Sequence, residues 1–296
     1  MMDKHAFFNL CLETVKNRFG SEEYEIRVEE FNKNNQIWKG IVISKRSASE
    51  FSGGPVVYPE LYLEKFPNLL GDEEELRLFL DNLCNEVENS ISGIDLGQIV
   101  KQHLQPECLR LAVTDYEKNK DWLAEGPHRR MADLAIYAFS TIKIDDDRYT
   151  FRRVTNDMLE NLRLTEEELF AIADVNTKRG KTFEALSTLM PPMFLQETME
   201  TPGLYMLTTS DSRYGAALIA CKNVLKEIHN QLKTNFFILP SSIHEVLVLP
   251  VCNNLNASDS AQLKHMVGEV NRTVVDPSDV LTDSVYYFDG ETFTTL

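Results

Sequence analysis

Two short stretches of the chain collect side chains that can do chemistry. The first is Gly126-Pro127-His128-Arg129-Arg130-Met131-Ala132-Asp133. His128 can give or take a proton near neutral pH, and Arg129 or Arg130 can grip an anion. The apolar run that follows reads as a central strand over residues 131–139, and the end of such a strand is a common place for a ligand site. The plainer alternative is an arginine paired with Asp133 and a histidine capping the strand's open backbone.

The second stretch is Phe236-Phe-Ile-Leu-Pro-Ser-Ser-Ile-His-Glu-Val-Leu-Val-Leu-Pro250. Two apolar runs flank Ser241, Ser242, His244 and Glu245, which predicts two buried strands, residues 236–239 and 246–249, joined by a tight polar connection. Ser241 or Ser242 could attack a substrate with His244 as base and Glu245 orienting the ring. Neighbours on an extended strand point to opposite faces, however, so Glu245 is poorly placed to orient His244. A zinc-protease helix would need a second histidine where Val248 stands. Ser242 and Glu245 also have capping-box spacing, which Val246, Val248 and Pro250 argue against by disfavouring a helix. A structural turn with satisfied hydroxyls, a ligand contact and a catalytic site all stay open, and no catalytic residue is assigned. The candidate ligand-binding residues are His128, Arg129, Asp133, Ser241, Ser242, His244 and Glu245.

Other motifs fall away on inspection. Gly53-Gly54 lacks the Lys-Ser/Thr and following helix of a phosphate-binding loop. Asp145-Asp146-Asp147 lacks the glycine and distal Glu of a calcium loop and reads as a solvated turn. The five cysteines (Cys11, Cys84, Cys108, Cys221 and Cys252) are odd in number and form no Cys-x-x-Cys pair. They predict no structural zinc and fit a reducing cytoplasm. Asn256-Ala-Ser258 and Asn271-Arg-Thr273 match the glycosylation sequon by chance on this reading.

The elements that must position these residues are read from periodicity. Residues 3–19 have helical spacing, closed by Gly20, and look like an amphipathic helix rather than a secretory leader. Tyr24–Phe31 and Gln36–Ser44 alternate around Asn32–Asn35, a hairpin with one wet face. Helices are expected over 72–87, 115–124, 165–176, 213–232 and 258–272, with Thr165 and Glu168 forming a capping box. Strands are expected at 108–114, 148–154, 204–208, 235–239, 245–249 and 284–289. Residues 178–202, with Pro191, Pro192 and Pro202, read as an irregular excursion. No internal repeat is visible, and the order of elements argues for an α+β fold with mixed or antiparallel sheets and packed helices. Two associated lobes are expected, residues 1–144 and 145–296, behaving as one continuous unit.

Charge narrows the function classes. Among 296 residues, 46 acidic against 30 basic side chains give a net charge of −16. Such a field repels phosphate backbones and anionic lipid, so direct nucleic-acid binding is not expected. The acids are dispersed, as on solvated faces; an acidic mimic of nucleic acid would need them on one face. No apolar run reaches membrane-spanning length.

The stretch Ile238–Pro250 resembles the most recognisable part of an uncharacterised domain-of-unknown-function family from gut-dwelling Gram-positive bacteria. Tyr116-Glu-Lys-Asn-Lys120, Pro127-His-Arg129 with Asp133-Leu-Ala-Ile136, Thr165-Glu-Glu-Glu-Leu169, Tyr214-Gly-Ala-Ala217, and Val270-Asn271 through Pro277, Val280-Leu281 and Val285-Tyr286 agree with that family's pattern. The second half is distantly similar to another uncharacterised Bacillus family around residues 165–250. The resemblance implies a bacterial cytoplasmic α+β protein and carries over no catalytic residues. The leading expectation is a non-enzymatic binding or interaction protein, with no cofactor and with an unknown small molecule or protein as partner. The rival is a hydrolase or transferase using His128 and His244 in a shared cleft.

Overall fold

A computed structural model describes residues 2–20, 22–46, 54–66, 68–92, 96–144, 149–189, 203–251 and 260–296. Gly53, the Asp145–Asp147 turn, Pro191, Pro192, Pro202, Cys252 and Asn256 lie outside the described residues. The chain divides into two compact units, Met1–Lys101 and Gln102–Leu296.

In the first unit, α1 (Lys4–Phe19) places Phe7, Phe8, Cys11, Val15 and Phe19 on one buried face. Asp3 caps its start by accepting from the Ala6 N–H. Gly20 ends it at φ −68° and ψ 80°, outside the left-handed region, and a side chain there would press a Cβ to 2.2 Å from the Lys16 carbonyl oxygen. The glycine is therefore required by close approach, not by a left-handed turn. Strands β1 (Tyr24–Lys33) and β2 (Gln36–Lys45) form the expected antiparallel hairpin, with Asn35 left-handed at its turn. β2 buries Ile41 and Ile43 while β1 stays largely wet. The short β3 (Val56–Val57) completes this sheet. α2 (Pro59–Lys65) and α3 (Glu73–Ser92) complete the unit, and Leu83, Cys84 and Val87 of α3 share the core of α1 and β2. α4 (Leu96–His103) carries the chain onward.

The second unit holds two antiparallel sheets. In the smaller, β6 (Leu134–Lys143) is central, paired with β4 (Leu109–Asp115), β5 (His128–Met131) and β7 (Tyr149–Arg153). The β6–β7 pair crosses residues 145–148, so the division of the chain at 101/102 lies well before the expected lobe boundary. Residues 131–139 are not one strand: a turn at Ala132-Asp133, with Ala132 left-handed, folds β5 back on β6. The apolar signal belonged to β6, which buries Leu134, Ala135, Ala138 and Phe139. α5 (Tyr116–Leu123), α6 (Asn156–Leu162) and α7 (Glu166–Arg179) accompany this sheet in sequence. α7 starts on the expected Thr165–Glu168 capping box and contributes Leu169, Phe170 and Ala173 to the core of the unit.

The larger sheet runs β13-β12-β10-β11-β9-β8: β8 (Lys181–Ala185), β9 (Tyr205–Thr209), β10 (Phe236–Pro240), β11 (Glu245–Pro250), β12 (Tyr286–Phe288) and β13 (Phe293–Thr295). β10 is fully buried, as expected. β11 alternates instead, with Val246 and Val248 in the main core and Leu247 and Leu249 packed around Leu263 and Val267 of α10 (Ser260–Thr273). Part of the expected irregular excursion is ordered: β8 pairs with β9, and α8 (Leu186–Leu189) follows it. The expected helix over 213–232 is two pieces. A buried 3-10 turn over Gly215–Ala220 gives way, through left-handed Asn223, to α9 (Val224–Leu232). Gly215 opens the first piece at a close approach: a Cβ there would stand 2.5 Å from the His244 carbonyl oxygen and from Thr208 Oγ1.

Candidate functional site

The residues singled out by sequence fall into three arrangements. Asp133, in the β5–β6 turn, meets no arginine. Its carboxylate accepts from Tyr286 OH at 2.7 Å, Ser284 Oγ at 2.8 Å and Thr282 Oγ1 at 3.0 Å. Its backbone carbonyl accepts from the Tyr116 N–H. Burial, and then the Asp133 carboxylate, push the Tyr286 hydroxyl well above its ordinary pKa, so it serves as a donor. This cluster sews the C-terminal segment onto the sheet.

His128 and Arg129 sit side by side on β5 with separate partners. His128 Nδ1 lies 3.1 Å from the Gly126 carbonyl oxygen and therefore carries the proton. The Arg129 guanidinium lies 4.1 Å over the Phe170 ring, and its Nε is 3.7 Å from Glu166 Oε1. The expected histidine–backbone contact is present; the acid facing Arg129 comes from α7.

Ser241, Ser242, His244 and Glu245 form the β10–β11 connection, where the Ser242 N–H donates to the Glu245 carbonyl. Ser242 Oγ accepts from the backbone N–H of His244 at 2.9 Å. The imidazole turns elsewhere: Nδ1 accepts from the Tyr214 N–H at 3.2 Å, which puts the proton on Nε2, 3.5 Å from Asp279 Oδ1. Asp279, not Glu245, is the acid at the ring. The His244 carbonyl accepts from Thr208 Oγ1 at 2.8 Å. His244 thus acts as a clamp on the turn after β9.

That turn leads to residues that no local pattern in the chain groups together. A cavity of about 290 Å³ is lined by Arg110 of β4, Arg179 at the end of α7, and Asp211, Arg213 and Tyr214 of the turn, with Phe139, Thr141 and Phe151 from β6 and β7. Three guanidiniums face one carboxylate there, inside a chain of net charge −16. Asp211 Oδ1 is already engaged, 2.8 Å from Thr209 Oγ1 and accepting from the Arg213 N–H at 3.3 Å. Arg110 donates to the Glu107 and Leu109 carbonyls, and Arg179 to Asn176 Oδ1. Burial, with Arg179 adding to it, draws the Arg110 guanidinium below its ordinary pKa, although arginine stays charged in any protein.

Two buried polar atoms of this lining, Arg213 Nη1 and Thr141 Oγ1, have no hydrogen-bond partner among the described residues. Buried polar groups are paired in the great majority of cases. Arg213 is held by its guanidinium stacking 3.8 Å over the Tyr149 ring. On either side of it, Ser212 and Tyr214 are left-handed at φ 53° and 52°. Non-glycine residues rarely adopt that region, and where they do they concentrate at ligand clamps. The His244–Tyr214 hydrogen bond pins this backbone. Sequence reasoning missed the cavity because its three arginines lie far apart in the chain; Arg110 inside the apolar run Leu109-Arg-Leu-Ala-Val113 was the one local hint.

The fold and site define an α+β protein whose second unit carries a small, cation-rich, aromatic-walled cavity. A family model described as "Family of unknown function (DUF5688)" matches residues 4–290, and the chain belongs to that family. No curated protein and no solved structure matches it. No helix among the described residues is long and apolar enough to cross a membrane.

Proposed function

We propose that this is a binding protein of the bacterial cytoplasm whose second unit holds a small anionic ligand in the arginine cavity without chemical turnover. The observation that carries this reading is the convergence of Arg110, Arg179 and Arg213 on the lining of one cavity. Arg179 and Asp211 are exposed and Arg110 and Arg213 part-buried, so the cluster draws an anion through its summed charge, most strongly at low salt. The lining supplies cations, hydroxyls and rings, and its carboxylate is tied into its own turn, which favours holding over turnover. His128 and His244, the residues of the rival enzymatic reading, have their ring contacts with separate partners. Cys11, Cys84, Cys108 and Cys221 are free thiols, which supports a reducing compartment.

The test is calorimetric titration with inorganic phosphate, sulfate and citrate at matched ionic strength, using wild type and Arg179→Ala. Saturable one-site binding of at least one anion, weakened about tenfold or more in the variant, is the expected result. The anion should be recovered unchanged. Failure of all three anions to bind at millimolar concentration would overturn the reading.

A further inference from the structure

Resting on that anion-binding reading, we infer that the ligand is a small phosphomonoester with an aromatic or heterocyclic ring. The charge argument comes first. Three guanidiniums and one carboxylate line the cavity, so a dianion balances it and a monoanion does not. A phosphomonoester carries about −1.5 to −2 at pH 7.

Shape is the second argument. The three arginines enter from β4, from the end of α7 and from the turn after β9. A planar carboxylate is satisfied by one guanidinium fork. A tetrahedral group with three terminal oxygens can accept from several directions at once. Arginine is the side chain suited to that task.

The walls supply the third argument. Phe139, Phe151 and Tyr214 border the same cavity and pack on one another, with ring centroids 4.6 Å apart for Phe139–Tyr214 and 5.4 Å for Phe151–Tyr214. Aromatic pairs of this kind add attraction beyond simple burial, so a ring on the ligand is recognised where an aliphatic tail of equal size is not. The volume, about 290 Å³, is at the small end of the ~300–1,000 Å³ range of ligand pockets. It accommodates a phosphate with a single ring, not a dinucleotide.

The probes are phenyl phosphate, phenyl sulfate, phthalate and inorganic phosphate, titrated into the full chain. Phenyl phosphate should bind about tenfold tighter than each of the other three. Phenyl sulfate keeps the shape but loses one charge, phthalate keeps two charges but loses the tetrahedron, and inorganic phosphate loses the ring. Arg213→Ala should weaken phenyl phosphate and inorganic phosphate alike. Phe151, 42% exposed, can be changed without opening the core. Phe151→Ala should bring phenyl phosphate down to the affinity of inorganic phosphate and leave the latter unchanged; if its melting point falls, Phe151→Leu is read in its place. Phenyl phosphate binding no tighter than phthalate, phenyl sulfate or inorganic phosphate overturns the ligand class while leaving the anion reading intact. If no anion of either panel binds, both fall together.

Discussion

The Asp133 cluster and the arginine cavity belong to the same unit and use the same materials, charged groups surrounded by hydroxyls and rings, yet they end in opposite states. Around Asp133 each of three hydroxyls has found the carboxylate. In the cavity, Arg213 Nη1 and Thr141 Oγ1 face no partner and the cations outnumber the acid. A second closed cluster sharpens the contrast: buried His103 has Nδ1 2.9 Å from Ser140 Oγ and Nε2 3.0 Å from Thr150 Oγ1. Closed clusters stabilise a fold. The open one is flanked by left-handed backbone at Ser212 and Tyr214, and under the anion-binding proposal its ligand would complete it.

If that difference is real, breaking the closed clusters should cost stability and spare binding, and breaking the open one should do the reverse. Asp133→Ala should have the largest effect, because it orphans three donors at once. A loss of about 4 kcal/mol is expected, with a fall in Tm of roughly 10 °C on a thermal melt. Anion affinity, measured below the melting transition, should be unchanged.

His103 comes next, and its effect depends on pH. Burial, aided by the Arg152 charge, lowers its pKa from 6.5 to about 4 in the folded protein. The unfolded chain therefore binds more protons between those values. The stability this histidine contributes is complete above about pH 6.5 and is lost as pH falls through about 4, by up to about 3 kcal/mol. Urea unfolding from pH 7 to pH 4 should show that slope, and His103→Gln should flatten it. An identical slope in the variant would remove His103 from the account.

His244 lies on the border between the two kinds of site, since it ties the β10–β11 connection to the turn carrying Arg213. His244→Ala orphans the Tyr214 N–H and should cost about 1–2 kcal/mol by thermal melt. It should also weaken anion binding by loosening that turn. An unchanged melting point together with unchanged binding would sever the proposed link. Arg213→Ala should have the smallest effect on stability, a Tm that is unchanged or slightly lowered, because the side chain is only part-buried and what it loses is its stacking on Tyr149. A drop comparable to that of Asp133→Ala would place the cavity among the closed clusters after all.

Much of the architecture was legible locally. The face Phe7-Cys11-Val15 specified α1, the alternation of Tyr24–Phe31 specified a hairpin, and Thr165 with Glu168 marked the start of α7. In each case the signal is a spacing within one or two turns or strands, where neighbours along the chain are neighbours in space. The misreadings have local causes too. β8 is a short edge strand, Lys181-Thr-Phe-Glu-Ala185, whose half-buried residues carry a weak pattern. The run 213–232 has helical composition, but it is seated against His244 and Thr208 at Gly215 and turns through left-handed Asn223, and no propensity scale contains those tertiary constraints.

What the sequence determined by itself was thus the strongly periodic elements, the α+β class and the chemically capable residues His128, Asp133 and His244. Which partners those residues met was decided by tertiary structure alone. Asp133 found hydroxyls about 150 positions later in the chain, His244 found Asp279, and Arg110, Arg179 and Arg213 found one another's neighbourhood. The physical reason is that local periodicity reflects burial of one face, which each segment encodes in its own residues. Convergence of charges depends on how sheets and helices stack, which no segment encodes alone.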